Sequence, residues 1–207
     1  MREMLLFLGQ IVRGWRTTGA VAPSGARLAR RMAEAVGDVA DGQVILELGP
    51  GTGVFTRELV RRFPSARVIA VEVNDAFASH LRATVPSVTV VTGCASLLAD
   101  HLESLGLKTT DVAAVVSGLP LLSLPGELPR QVLASVASVL PSGRRYVQFT
   151  YSERAWRKFN PNGFQRHPHQ RVWRNLPPAV VLSFTRDERT DRPETNPLPL
   201  TSVAVSE

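Results

Sequence analysis

The sequence predicts an α/β fold: a mostly parallel sheet of seven strands with helices on both faces, preceded by an amphipathic N-terminal helix. Three observations carry this reading. Short apolar runs alternate with helical periods from Gln43 to about Leu140, the pattern of parallel strands joined by crossover helices. Three glycines, Gly49, Gly51 and Gly53, follow directly on the first of those runs, where a strand must turn tightly into a helix. The last third turns β-rich around Pro177 and Pro178, as a closing hairpin would.

The elements follow in order. Residues 1–16, MREMLLFLGQIVRGWR, place Met4, Leu5, Phe7, Leu8, Ile11, Val12 and Trp15 on one broad arc of a helix, with Arg2, Gly9, Arg13 and Arg16 opposite. No small-residue cleavage site follows, so a secretory signal is not expected. The pattern suits a helix lying on a membrane surface, or one packed on its own domain or on a second subunit. TTGAVAP then reads as a loop, and Ser24 as the N-cap of a helix to about Val36. Strands are expected at Val44–Leu48, Arg67–Val73, Val88–Thr92, Val112–Val116 and Tyr146–Tyr151. Between them, helices are expected after the glycines to about Phe63, from a cap at Asp75 to about Val85, and over Pro129–Leu140. Arg171–Leu176 and Ala179–Thr185 form the hairpin. The organisation is therefore a helix over 1–16, a domain over 17–187 and a proline-rich polar tail over 188–207.

Composition narrows the function classes. A chain of 207 residues with 44% hydrophobic and 20% charged residues can fill one core, which excludes a disordered tail protein. No unbroken apolar run reaches the roughly 18 residues that cross a bilayer. One cysteine, Cys94, excludes an internal disulfide framework and a cysteine-built zinc site, and sets the cytoplasmic side as the expected location. The net charge of +6 points to an anionic partner, nucleic acid or an acidic lipid surface.

The chemistry concentrates in VILELGPGTGVFTREL. The glycines read G-x-G-x-G and lack the third-glycine spacing of a dinucleotide site, so a nicotinamide cofactor is disfavoured. Glu47, two residues before the loop, is badly placed for a pyrophosphate and well placed for a ligand carrying an ammonium. Glu72 ends the next strand, where a carboxylate can accept both hydroxyls of a ribose. Either acid alone would read as a capping residue; together, at the ends of adjacent strands beside a glycine loop, they point to a bound nucleoside.

ELGPGTG resembles the first motif of the class I S-adenosylmethionine-dependent methyltransferases, a Rossmann-like family, with Glu47, Gly49, Gly51 and Gly53 each in place. The resemblance implies that the glycine loop holds the methionine portion of S-adenosylmethionine, that Glu72 holds the ribose, and that Val73 and Asn74 flank the adenine. Where the family has Gly-Asp-Ala, this chain has Gly93, Cys94 and Ala95, leaving the adenine amine to Ser96 or a backbone carbonyl. Ser117, just after the fourth strand, is a further cofactor-binding candidate. Adenine-modifying relatives follow that strand with a proline and an aromatic ring that stacks on the flipped base; here the run is Ser117, Gly118, Leu119, Pro120, Leu121, without the ring. GAVAPSG, VVSGLPLLSLP and VQFTYS together resemble the bacterial phospholipid N-methyltransferases, from about Trp15 to Leu182.

That resemblance implies stepwise methylation of phosphatidylethanolamine to phosphatidylcholine, with S-adenosylhomocysteine as co-product. An enzyme acting on such a lipid must reach the interface, so Met1 to Arg16 is expected to dock on anionic lipid, with peripheral attachment at the inner face of the cell membrane; a monomer is expected, its oligomeric state otherwise open. The rival readings are an RNA adenine dimethyltransferase and a cofactor-binding regulatory module. Methyl transfer to an uncharged amine asks a site to orient more than to activate. Carbonyls around Gly118 and Leu119, in the turn that ends at Pro120, and the ring and hydroxyl of Tyr151 are the candidates to hold the acceptor nitrogen; the alternative for Tyr151 is a core tyrosine. His167 is the candidate proton acceptor, the alternative being a phosphate or surface role with Arg166 and Arg171. No carboxylate or cysteine stands at ligand spacing from His167 and His169, so no metal site is expected. Cys94 reads as a packing residue.

Overall fold

A computed structural model gives the architecture and describes residues 23–156, 161–173 and 178–187. The amphipathic segment 1–16 and the tail 188–207 lie outside the described residues. The elements in chain order are α1 (Pro23–Val36), β1 (Val44–Leu48), α2 (Val54–Arg62), β2 (Arg67–Glu72), α3 (Asp75–Thr84), β3 (Thr89–Thr92), α4 (Leu98–Ser104), β4 (Val112–Ser117), α5 (Leu128–Val139), β5 (Arg145–Thr150), a single turn α6 (Glu153–Trp156), β6 (Phe164–Arg166), β7 (Gln170–Val172) and β8 (Ala179–Arg186). Two short 3₁₀ turns, Thr109–Asp111 and Leu121–Ser123, flank β4.

The strands form one sheet in the order β3-β2-β1-β4-β5-β8-β6, with β7 also on β8. β1 to β5 are mutually parallel, while β8 returns antiparallel to β5. The expected seven strands become eight because the outermost position is shared. β6 pairs one half of β8 (Phe164↔Arg186) and β7 the other (Gln170↔Val181). Between them the His167 N–H still donates to the Ser183 carbonyl at 2.9 Å, but Pro168 has no N–H to continue the ladder. The expected hairpin is thus present as β7 and β8, and β6 is the strand that periodicity did not reveal. α4 was also not expected, although Leu98 and Leu102, one helical turn apart, are both buried.

Alternation along β1 explains the two layers. Val44, Leu46 and Leu48 face a core completed by Leu98, Leu102, Val132 and Val136 of α4 and α5, whereas Ile45 faces Leu28, Met32, Leu59 and Leu81 of α1, α2 and α3. Glu47 shares the parity of Ile45, so its carboxylate points under α2. The chain runs outward from β1 to β2 and β3, then returns to β4 on the other side of β1. The carboxyl ends of β1 and β4 therefore border a crevice at the point where strand order reverses, which is where open α/β sheets take ligands.

Candidate active site

The crevice begins at the glycine turn. Gly49, Gly51 and Gly53 have φ of 67°, 55° and 79°, left-handed values that L side chains rarely adopt. A Cβ at Gly49 would also run into the Leu119 side chain. The turn is tied to β2: the Gly49 N–H donates to the Val71 carbonyl at 2.9 Å and the Gly51 N–H to Glu72 Oε2 at 3.1 Å. Glu72 Oε1 accepts from the Asn74 N–H at 2.9 Å. One carboxylate thus joins the glycine turn to the start of α3. Burial pushes the Glu72 carboxyl up from its ordinary value, while the N–H donors of Asn74, Gly51 and Val73 oppose that rise.

Glu47 is sealed beneath this turn. It has no exposed surface, and among the described residues neither its carboxylate oxygens nor the Thr56 hydroxyl meets a partner within full hydrogen-bond geometry, with Thr56 the nearest donor. Burial pushes its carboxyl up to about 7; the nearby Thr56 and Arg57 oppose the rise and the Glu72 charge adds to it. A buried carboxylate without a fully formed hydrogen bond is an incomplete arrangement. A ligand bringing a positive charge over the turn, or waters ordered by it, completes it.

An open cleft lies beside the turn, at the carboxyl ends of β1 and β2. Glu72, Val73, Gly93, Cys94 and Ala95 form one side, and Leu119, Leu124, Leu128 and Val132 form an apolar wall opposite. The cleft thus sets an apolar wall opposite a carboxylate. The structure brings Gly49, Glu72, Val73, Cys94 and Ala95 together as the sequence placed them. Asn74 differs, because its side chain caps α3, accepting from the Ala76 and Phe77 N–H groups at 2.9 and 3.3 Å. Asn74, rather than the expected Asp75, is therefore the cap, and its amide oxygen is engaged away from the cleft. Ser117 is fully buried below the cleft, its hydroxyl accepting from the Leu119 N–H at 3.3 Å. The Ser96 hydroxyl donates to Cys94 Sγ at 3.1 Å, which leaves its oxygen able to accept, and the Cys94 carbonyl meets His101 Nε2 at 3.0 Å.

His101 is a residue sequence reasoning passed over. Its ring lies so close to Gly93 that a Cβ there would stand 2.5 Å from Cε1, so the histidine locks the turn after β3 that carries Cys94 and Ala95. The signal was present as a histidine one turn into a short amphipathic segment, but a 7-residue helix gives too little periodicity to read.

The turn after β4 is held by a buried polar network that was equally hidden. The Tyr146 hydroxyl donates to Gln148 Oε1 at 2.9 Å, and Gln148 Nε2 donates to the Leu119 and Phe149 carbonyls at 3.0 and 2.7 Å. Burial drives the Tyr146 hydroxyl pKa upward, keeping it a donor. The Leu119 carbonyl also accepts from the Leu121 N–H at 2.9 Å. It is doubly engaged, which removes it from the carbonyls expected to hold an acceptor nitrogen. Gly118 packs against the Gly49 carbonyl, where a Cβ would come within 2.7 Å, and the Pro120 carbonyl accepts from the Ser123 N–H at 2.8 Å. From Gly118 an aromatic row leads outward. A Cβ at Gly118 would be 3.4 Å from the Phe55 ring; Phe55 meets Phe149 edge-on at 5.7 Å, and Phe149 meets Tyr151 edge-on at 5.5 Å. Tyr151 is 46% exposed, so it is not the core tyrosine of the alternative reading.

His167 is not brought to this site, a correction to the sequence expectation. It stands on the outermost strand position, four strand spacings or roughly 19 Å from β1, and its Nε2 lies 2.6 Å from Thr185 Oγ1. Thr185 pairs with Arg145 at the start of β5, the end opposite the cleft. Burial and the Arg145 charge lower its pKa. Its neighbours in sequence behave differently. Arg166, His169 and Arg171 gather around Glu153 of α6, at 2.8, 3.2 and 3.8 Å.

The comparisons agree with this geometry. Residues 45–143 match the model of a methyltransferase domain family. An ornithine lipid N-methyltransferase of Singulisphaera acidiphila is 33% identical over 183 residues, covering 86% of this chain and 94% of that protein. Among solved structures, the N-methyltransferase NodS of Bradyrhizobium japonicum in complex with S-adenosylhomocysteine superposes with a TM-score of 0.62 at 12% identity, over 80% of this chain and 89% of that one. The 1,6-didemethyltoxoflavin N1-methyltransferase of Burkholderia thailandensis superposes at 0.64 with 14% identity, over 89% and 88%. Glycine turn, paired acids, strand order and full-length relative converge: the chain belongs to the S-adenosylmethionine-dependent methyltransferases, and S-adenosylmethionine is its methyl donor.

Proposed function

We propose that this enzyme methylates the primary amine of a lipid headgroup at a membrane surface. The observation that carries the reading is the relative named for N-methylation of ornithine lipid, matched over nearly its whole length. When bound, S-adenosylmethionine supplies a methyl group on a positively charged sulfur, which passes to the amine and leaves S-adenosylhomocysteine. Glu72 takes the ribose hydroxyls, Val73 and Leu119 flank the adenine, Cys94 and Ala95 border its edge, and the glycine turn above Glu47 receives the methionine arm. Tyr151, joined through Phe149 and Phe55 to the turn at Gly118, offers a ring to an ammonium that loses its hydrogen-bond donors as it is methylated. Leu121 is buried at 1% exposure, where a base-stacking ring would have to stand free, which weighs against an RNA acceptor.

The first acceptor we assign is phosphatidylethanolamine, carried stepwise to phosphatidylcholine; ornithine lipid is the second, favoured by the relative. Among the described residues no helix is long and apolar enough to cross a membrane, and segment 1–16 supplies the surface attachment at the inner face of the cell membrane. Methyl transfer from labelled donor to liposomes containing both lipids, separated afterwards, tests the assignment. Label in mono-, di- and trimethylated phosphatidylethanolamine supports it, and label in ornithine lipid alone moves the substrate to the second reading. Unlabelled lipid beside intact donor binding overturns the lipid reading and leaves the regulatory module. Deleting residues 1–16 is expected to abolish co-sedimentation with anionic liposomes while leaving donor affinity within about twofold; retained co-sedimentation would refute the anchor.

A further inference from the structure

We infer that the acid of the acceptor headgroup, the phosphate or carboxylate that accompanies its amine, is held by Arg171, backed by Arg166, His169 and Trp173. The inference deepens the lipid-amine reading and rests on it. Three basic side chains share one carboxylate, that of Glu153, and they share it unequally. Arg166 is 24% exposed and makes a 2.8 Å hydrogen bond to Oε1. Arg171 is 43% exposed and stands 3.8 Å from Oε2, beyond hydrogen-bonding distance. Its guanidinium lies 4.9 Å over the ring of Trp173, itself 69% exposed. Among the described residues that guanidinium donates no hydrogen bond. A guanidinium laid on an indole has its plane fixed while its edge donors stay available, which suits bidentate capture of a carboxylate or phosphate. His169, when protonated, adds to the surplus of positive charge over Glu153.

Register places this group on the right edge of the sheet. Arg171 pairs with Val180, and Val180 pairs with Thr150, the last residue of β5. Arg171 is therefore level with Tyr151 and with the carboxyl ends that border the cleft, two strand spacings or about 10 Å from β5. A headgroup whose amine and acid are a few bonds apart, met by an extended arginine, covers that span. Glu153 opens α6 two residues after Tyr151, so one short segment joins the candidate amine contact to the acid contact.

Arg171→Gln tests the inference in the full-length enzyme, with phosphatidylethanolamine vesicles as one acceptor and stearylamine in phosphatidylcholine vesicles, an amine without an acid, as the other. The expected result is a loss of about tenfold in kcat/KM on phosphatidylethanolamine, carried by KM, the size of one charge-assisted contact. On stearylamine the loss should stay below about twofold, with donor affinity as in the wild type and partial rescue by Arg171→Lys. Equal losses on both acceptors, or none on either, overturn the inference and leave the lipid reading standing. A wild type that labels none of phosphatidylethanolamine, ornithine lipid and stearylamine overturns both. Inorganic phosphate in a direct binding titration separates the sources. Equally weak binding to wild type and variant supports the headgroup, and tight binding lost in Arg171→Gln reassigns the group to free phosphate.

Discussion

The two halves of the sheet edge are built by different means. Around β1, β2 and β3 the site is made of backbone: three left-handed glycines, N–H groups aimed at Glu72, and a cleft wall of small and aliphatic side chains. Around β5, β7 and β8 it is made of long side chains at the surface, with Tyr151 46% and Trp173 69% exposed and Arg171 stacked between solvent and indole. Backbone donors and buried acids are rigid, so they suit a ligand of fixed shape. Exposed aromatic and cationic side chains suit a headgroup that arrives from a surface and changes size at its nitrogen as it reacts. Under the proposed function, specificity for the donor would rest largely on a short glycine turn and the ends of β2 and β3, and specificity for the acceptor on strands that approach one another only on folding.

That contrast can be broken first at Glu72. Glu72→Ala removes the acceptor of two N–H bonds that join the glycine turn to α3, each charge-assisted and worth about 1.5–3 kcal/mol. Donor affinity measured calorimetrically is expected to fall by at least about 100-fold; a change within threefold would mean that the backbone alone shapes the donor site. Glu47 sharpens the same half through pH. Its carboxyl is pushed up to about 7 in the folded protein, against an ordinary value near 4.3 in the unfolded chain. The folded state therefore holds a proton that the unfolded state has released, and stability from this group is full below the lower value and lost as pH rises through 7. The loss by pH 8 is of order 3 kcal/mol. Donor binding favours the ionised form, so wild-type affinity should fall about tenfold for each pH unit below 7. Glu47→Gln should flatten that profile, bind the donor weakly, and melt higher than wild type at pH 8 but not at pH 5. A variant that keeps the wild-type pH profile would place the titrating group elsewhere. The smallest effect is expected at His167. His167→Ala should leave kcat/KM on lipid within about twofold and cost about 1 kcal/mol through the lost Thr185 contact, read as a shift in melting temperature. A large loss of turnover with an unchanged melting temperature would return this histidine to the chemistry.

Strands β1 to β5 were legible to within a residue or two because each is a short run rich in apolar or β-branched residues bounded by turn residues; β1, β2 and β4, buried on both faces, must be apolar, while the edge strand β3 is only half-buried. Glu47, Gly49, Gly51 and Gly53 were legible as candidates because neighbouring backbone positions build the turn, and Glu72 because it ends the next strand. β6 was hidden by its length of three residues, too short for an alternation to show. His101, Gln148 and Tyr146 were hidden because their partners, Cys94, Leu119 and one another, are chosen by packing, and a polar residue in an apolar run does not announce which carbonyl it will meet.

His167 and Arg171 show where sequence reading ends. Both lie in FQRHPHQR, four residues apart, and as text they are equal candidates for the chemistry of the site. The sequence by itself determined the α/β alternation, the donor turn and its two acids, through local periodicity and local backbone geometry. Only the tertiary structure decided which end of β8 each basic residue would pair with. Because β8 runs antiparallel to β5, a step of four residues along the outer position carries the chain from the level of Val147 to that of Thr150. The His167 ring reaches toward Thr185, opposite Arg145, and Arg171 stands level with Thr150 at the carboxyl end of β5. Long-range antiparallel pairing, which no local pattern encodes, set that difference.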